Sequence, residues 1–574
     1  MSKPLLKQSR RNLPPPPVSL RRTQTHHNES VPLNGTMMQF FEWHVPSDQK
    51  HWDRLQERAA ELKKNGVTAV WIPPPTKGAS KDCVGYAIYD LWDLGEFDQK
   101  NTVGTKYGTK ESLKKAINAC VMNGIHVYAD AVLNHKLGAD KTETFRAVEV
   151  ARDDTTHDIS GQQEIKGWTK FEFPGRGDKY SSFKWNFNHF TGVDYNAANK
   201  RQGIYRILGD GKYWSDNVDN ENGNYDYLLG ADLDTAHPEV AEELKKWGVW
   251  VINELNLSGF RLDAVKHIDA KFMAEFLEHC RSHTSLGQNM FAVAEYWKNS
   301  MSDLEDYLDV HDWKLSLFDV PLHFNFAEAA AKGRDYDMTK IFDGSLVQAH
   351  PMQAVTFVVS SQKNTHTHTH THTHKNISPN PLVGNSSSSS FIPFLAHKNA
   401  PQNNHDTQPG ESLASWIPHW FQPHAYALIL LRRDGYPCVF YGDVYGISGA
   451  APVEPLAAPA ITNIMKVRAH FAYGDQDEYL DHPNTIGWVR RGDEKHPQGC
   501  AVVLCAGDEG HKHMFVGEAK AGERWVDVAG GRREVLVIGE DGSADFPCNG
   551  GAVSAWVRME EARDVMAWKE QDEA

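Results

Sequence analysis

Nothing in the chain is long and apolar enough to cross a bilayer as a helix: no run of about eighteen apolar residues occurs in its 574 residues. Cysteine is scarce. The seven (Cys83, Cys120, Cys280, Cys438, Cys500, Cys505 and Cys548) are odd in number and show no metal-ligand spacing, so reduced thiols are expected. Positive charge also falls short, with 60 Lys and Arg against 75 Asp and Glu and a net charge of −15, which argues against nucleic acid or an anionic membrane as partner. The basic N-terminus lacks the apolar core of a secretory signal. Its prolines, Pro14 to Pro17, break the amphipathic helix that a mitochondrial leader needs. Residues 1–35 therefore read as a disordered tail on a cytoplasmic protein, expected to be a monomer.

What the chain does have is aromatic surface. Its 17 Trp and 19 Tyr are the planar groups on which sugar faces stack. From Thr36 onward strand and helix patterns alternate. Eight strand candidates are Met37–Trp43, Val67–Pro73, His126–Asn134, Gly259–Val265, Met290–Trp297, Leu315–Phe324, Ala354–Val359 and Pro437–Gly442. Between them lie helical patterns such as Trp52–Lys64, Glu111–Met122, Pro238–Asn256, Ala270–Arg281 and Ser412–Arg433. This is the rhythm of an α/β (β/α)₈ TIM barrel, whose reactive end is the rim at the C-terminal ends of the strands. The barrel is assigned to residues 36–136 and 232–476. Residues 137–231, rich in Gly and aromatics, read as a β-rich insertion domain after the third strand. Residues 477–574 turn to short strands (Ile486 to Val489, Ala501–Leu504, Arg524–Val528, Glu534–Ile538 and Ala552–Val557) and read as a small all-β sandwich.

Four strand ends carry chemistry. The third runs Asp130-Ala131-Val132-Leu133-Asn134-His135, and the fourth carries Arg261, Asp263, Lys266 and His267. In a strand Arg261 and Asp263 share a face, so the guanidinium keeps the carboxylate ionised, as a nucleophile requires; alone, the pair is equally an ion pair of the fold. The fifth ends Ala294-Glu295-Tyr296-Trp297, a glutamate in apolar company, which raises its pKa toward general-acid duty. One acid kept protonated beside one kept ionised is the requirement of retaining glycoside hydrolysis.

The seventh strand is followed by a low-complexity stretch, residues 359–402, with five Thr-His pairs from Thr365 to His374 and five serines from Ser386 to Ser390. As protein it is a loop whose His tract would bind metal weakly. An (AC)n repeat, however, translates as alternating Thr (ACA) and His (CAC). Val359-Ser360 can be written GTAAGT and Gln402 CAG, the consensus ends of an intron. We therefore read 359–402 as a retained intron. Its removal joins Phe357-Val358 to Asn403-Asn404-His405-Asp406 and brings His405 and Asp406 to the rim.

The segments DAVLNH, GFRLDAVKH, AEYW and NHD resemble the four signature segments of the α-amylase family, glycoside hydrolase family 13. Further likeness to liquefying bacterial α-amylases and intracellular fungal relatives lies in residues 85–109, 220–240, 435–443 and 549–557. The resemblance implies Asp263 as nucleophile, Glu295 as acid/base and Asp406 as transition-state stabiliser. Arg261 would orient the nucleophile. His135, His405, Asp130 and Tyr86 would hold the sugar being cleaved, with Lys266 and His267 on the aglycone side. It also implies a calcium ion held by Asn134, Asp226, Asp232 and the carbonyl of His267, a donor set that suits Ca²⁺. A second metal, which relatives hold through an aspartate near Ser215, is in doubt here, with Asp234 as its remnant. The implied activity is endo-hydrolysis of α-1,4-glucans. The alternatives are an α-glucan transglycosylase, a non-catalytic glucan-binding relative, and a product inactivated by the 359–402 insertion.

Overall fold

The structure is a computed structural model that describes residues 34–358, 417–449 and 452–566. Eight parallel strands close on themselves: Met37–Gln39, Ala69–Ile72, His126–Ala131, Gly259–Leu262, Phe291–Ala294, Ser316–Phe318, Ala354–Phe357 and Tyr436–Phe440. Each pairs with its neighbour in the chain, and the first pairs with the last through Met37 opposite Cys438. Helices such as His51–Lys64, Lys110–Met122, Pro238–Leu255 and Ala270–His283 form the crossovers. Trp71, Tyr128, Phe291, Val293, Phe318, Val355 and Phe357 fill the barrel interior, while Val70, Val127, Phe260 and Leu262 pack outward into the helical layer. With both faces covered, the strands are apolar throughout, and that is why the chain reads as short apolar runs. The fold is thus the expected (β/α)₈ barrel with added β structure.

Several ends differ from expectation. The fourth strand stops at Leu262 because Ala264 takes a left-handed φ of 48° and opens a 3-10 turn, Val265–His267. The stretch expected as strand Leu315–Phe324 is strand only to Phe318. Asp319 then caps helix Val320–Lys332 by accepting from Leu322 N–H, with Pro321 in the first turn, where its missing N–H costs nothing. Of the helix expected over 412–433, Gln422–Leu430 is helical, again with proline at its start, and 412–416 lie outside the described residues. The eighth strand ends at Phe440, where a short helix, Tyr441–Tyr445, begins.

After the third barrel strand comes a six-stranded antiparallel sheet. Its order is His135–Lys136, Ala231–Leu233, Phe190–Asn196, Arg201–Ile207, Lys141–Val150, Gln163–Lys170. The pairing of 135–136 with 231–233 ties the exit from the third strand to the return toward helix Pro238–Leu255. At the C-terminal end a second six-stranded sheet contains all five anticipated strands plus Gln476–Tyr479. A two-stranded sheet, Gly510–Phe515 with Ser543–Cys548, departs from expectation, since Gly-His-Lys-His-Met-Phe is largely polar and Ser543–Cys548 contains Pro547. Among the described residues no helix is long and apolar enough to cross a membrane. The expectations for the N-terminal tail before residue 34, for 359–402, and for His405 and Asp406 fall outside the described residues.

Candidate active site

The registers of three neighbouring strands build the site. Arg261 lies opposite Asp130, and Leu262 lies opposite both Ala131 and Ala294. The ladder continues one residue past the strand ends. Asp263 N–H donates to Ala131 O (3.1 Å), Glu295 N–H to Leu262 O (3.0 Å), and Val265 N–H to Glu295 O (3.1 Å). Asp263 and Glu295 are therefore placed by backbone hydrogen bonds at the rim.

Arg261 is fully buried and contacts three carboxylates. Nη1 donates to Asp130 Oδ1 and to Asp263 Oδ1, both at 2.7 Å, and Nη2 donates to Glu295 Oε2 at 2.5 Å. Glu295 is thus not in the apolar pocket expected from its neighbours in sequence. It faces an arginine and also accepts from Ala264 N–H at 3.3 Å, a donor aimed by the left-handed turn. Its pKa is nonetheless raised: burial pushes it up, Arg261 opposes, and the Asp263 charge pushes it up further. Burial likewise raises Asp130, again against the pull of Arg261.

Tyr86 and His135 reach the same place. Tyr86 Oη donates to Asp130 Oδ2 (2.7 Å), and its ring stacks on Trp43. His135 Nε2–H donates to Tyr86 O (2.8 Å), and burial lowers its pKa, which keeps it neutral. Lys266 is buried, with Nζ on Glu221 Oε2 (2.8 Å) and over the Tyr225 ring. His267 donates Nδ1–H to Tyr225 O (2.7 Å), and burial holds its pKa down at about 3. These two side chains tie the rim to the 221–225 segment. One partner went unpredicted. Trp71, on the second strand, donates Nε1–H to Asp130 Oδ2 (3.1 Å) and lies against the Arg261 guanidinium, 4.8 Å from ring centroid to carbon. Its inward position on a barrel strand is the one sequence signal that marks it.

A second buried polar cluster gathers Asn134, Asp226, Asp232 and the His267 carbonyl. Asn134 Nδ2 lies 3.2 Å from Asp232 Oδ1, 3.1 Å from His267 O and 3.5 Å from Asp226 O, while its Oδ1 lies 3.1 Å from His135 Nδ1. That last contact is unfavourable as it stands. His135 is neutral and gives its Nε2 proton to Tyr86, so Nδ1 and Asn134 Oδ1 are both acceptors. A half-turn of the amide, which exchanges two near-identical ends, lets Nδ2 donate to His135. It then adds a fourth oxygen to a centre of carboxylate and carbonyl oxygens. A cation among these oxygens would satisfy such a set. The carboxyls agree: burial first pushes both Asp226 and Asp232 up, the Asp226 charge raises Asp232, the Asp234 charge raises both, and among the described residues neither has a salt bridge. The donor set therefore fits a hard cation.

Asp234 is not part of this centre, because Lys212 Nζ takes it at 2.8 Å and also donates to Phe190 O. A protein ammonium neutralises it. His189, His237 and Glu239 also bring ligand atoms within 4.8 Å of one another. Each imidazole there accepts a backbone N–H at Nδ1, from Asn186 and Glu239 respectively, which denies the ring the Nδ1–H anchor usual in a metal-bound histidine.

Comparison with known proteins supplies the lineage. The family described as "Alpha amylase, catalytic domain" matches residues 51–572. The chain is 48% identical over 543 residues to the glucan 1,4-alpha-maltohexaosidase of Bacillus sp. (strain 707), covering 94% of this chain and 95% of that one. It is 42% identical over 535 residues to the cytoplasmic alpha-amylase of Escherichia coli (strain K12), covering 91% and 99%. In fold it is similar to a crystallised alpha-amylase of Geobacillus thermoleovorans complexed with acarbose, with a TM-score of 0.56, 15% identity, and 92% and 98% of the two chains covered. A barrel with three carboxylates on one buried arginine, matched along nearly its whole length, makes this chain a member of the α-amylase family.

Proposed function

We propose that the protein is an endo-acting retaining hydrolase of α-1,4-glucosidic bonds in starch, glycogen and maltooligosaccharides. The observation that carries this is the single Arg261 fork joining Asp263 and Glu295. It supports a carboxyl pair close enough for retention, for which about 5–5.5 Å is typical. Glu295, its pKa raised, gives its proton to the glycosidic oxygen while Asp263 attacks the anomeric carbon. The C–O bond to the leaving sugar breaks as the glycosyl–Asp263 ester forms. Glu295, now a carboxylate, takes a proton from water, which displaces Asp263. Asp130, Tyr86 and His135 bind hydroxyls of the cleaved sugar together with His405, Asp406 stabilises the oxocarbenium-like transition state, and Lys266 and His267 serve the aglycone side. Asn134, Asp226, Asp232 and the His267 carbonyl hold Ca²⁺, which when bound neutralises the buried carboxylates. The same reading takes 36–136 and 232–476 as the catalytic domain, 137–231 as the insertion and 477–574 as the C-terminal domain. It extends to a cytoplasmic setting, as the name of the E. coli relative says of that protein.

Glu295→Gln tests the mechanism: kcat on soluble starch falls on the order of 10⁴-fold, and the alkaline limb set by deprotonation of the acid disappears. Activity that survives the change removes Glu295 from the reaction. Products from maltoheptaose separate hydrolysis from transfer, since only transfer yields longer oligomers.

The 359–402 segment bears on the same proposal, because it stands just before His405 and Asp406 in the chain. A misplacement of Asp406 by about an ångström costs on the order of 10²-fold in rate. Deletion of 359–402 therefore raises starch cleavage by about that factor. Equal rates with and without the segment, or a mature transcript that carries the repeat, refute the intron reading.

A further inference from the structure

Two of the seven cysteines meet. Cys505 ends the strand Cys500–Cys505 in the six-stranded C-terminal sheet, and Cys548 ends the strand Ser543–Cys548 in the two-stranded sheet. Both are fully buried and belong to one apolar cluster with Val503, Met514, Phe546 and Trp556. Cys505 Sγ lies 3.6 Å from Cys548 O, and each thiol shifts the pKa of the other. Among the described residues no other pair of cysteines interacts.

The surroundings suit one sulfur to attack and the other to resolve. Cys505 Sγ also lies 3.6 Å from Thr485 Oγ1, and Cys548 Sγ lies against the Ala552 carbonyl at 3.2 Å. Its neighbour Cys548 is the main reason the Cys505 thiol is held below its usual range, while Cys548 is pushed up. A thiol with a thiolate fraction near neutral pH is the effective nucleophile in exchange. The Gly510 backbone passes close by: a Cβ placed on it would stand 3.3 Å from Cys505 Sγ. Above it runs an open groove of about 490 Å³ lined by Glu509, Gly510, His511, Asp545 and Pro547.

We infer that Cys505 and Cys548 are a cross-linking site: on meeting a small-molecule disulfide they join into an intramolecular disulfide that ties the two C-terminal sheets together. The Cys505 thiolate attacks one sulfur of the small disulfide, and the other half leaves as a thiolate. Cys548 gives its proton to solvent and attacks Cys505 Sγ, expelling the second half. Two protein thiols and one small disulfide become one protein disulfide and two small thiols. The bond closes the loop from 505 to 548 and restricts the unfolded chain.

The test uses the full chain, reduced and then incubated with oxidised glutathione, in one arm folded and in a second arm during refolding from denaturant. After remaining thiols are alkylated, peptide mass mapping without reductant is expected to show one linked peptide joining Cys505 and Cys548. It disappears on reduction and is absent from Cys505→Ser and from Cys548→Ser. The thermal midpoint of the oxidised wild type rises by several degrees, that of either variant does not, and starch cleavage is the same in both redox states. Three results overturn the inference: no linked peptide in either arm, linkage of either residue to another cysteine, or a glutathione adduct that persists on Cys505 without closing onto Cys548.

Discussion

Two buried acidic clusters lie a few residues apart along the same strands, and they solve one problem in opposite ways. Around Arg261, three carboxylates converge on a cation that the chain itself provides. Around Asn134, two carboxylates, a carbonyl and an amide converge with no protein cation among the described residues. An unpaired buried charge is costly enough that each cluster must be neutralised. The internal cation fixes geometry, since its fork sets Asp263 and Glu295 at fixed places on one plane. The second cluster depends instead on what the solution contains. Lys212 shows the third course, an ammonium that occupies the place beside Asp234 and removes any need for an ion there. His135 joins the clusters, with one ring nitrogen toward Asn134 and the other toward the Tyr86 carbonyl.

The comparison breaks most severely at Arg261. Arg261→Met leaves three buried carboxylates without their counter-charge. It is expected to cost about 3–5 kcal/mol of stability and to abolish starch cleavage, checked by denaturant unfolding and by assay. A variant that unfolds with the wild-type midpoint would show that the three acids do not need the arginine.

A similar loss is expected at the other cluster by a gentler route. Chelation removes about 4 kcal/mol if free calcium stood at about 1,000 times its dissociation constant. Scanning calorimetry with chelator, and after calcium is restored, reads it. Asp232→Asn should abolish the calcium response while leaving Arg261 and its partners in place. A thermal midpoint indifferent to chelator would mean the Asn134 cluster is closed by protonation instead.

The smallest effect sharpens the first cluster. Trp71→Phe removes one hydrogen bond to Asp130 and keeps the ring beside Arg261, a loss of about 1 kcal/mol, or roughly fivefold in kcat/KM. No change in that ratio would make Trp71 a packing residue alone.

Much of the fold and part of the site are legible in the order of the amino acids. The eight strands stand out because a barrel strand is covered on both faces, and Pro321 and Pro423 mark helix starts by a local rule that the expected boundaries overlooked. The acids Asp263 and Glu295 stand out because a charge at the end of an apolar run has few structural uses. The environment of Glu295 is misjudged from sequence for a physical reason. Its sequence neighbours are apolar, but its nearest group, Arg261, comes from the adjacent strand, and only strand register sets that approach. The polar C-terminal strands escape notice because their partners, not their composition, make them strands.

The sequence by itself determined the alternation of elements, the residue types at each strand end and the net excess of acid, since these follow from local periodicity and from counting. Tertiary structure alone decided that one arginine serves three carboxylates, that Asp234 is answered by a lysine while Asp226 and Asp232 are not, and that two cysteines 43 residues apart face each other. Charge balance at a buried point depends on distances of a few ångströms between segments remote in the chain. Closure of the barrel and docking of its neighbouring sheets are what set those distances.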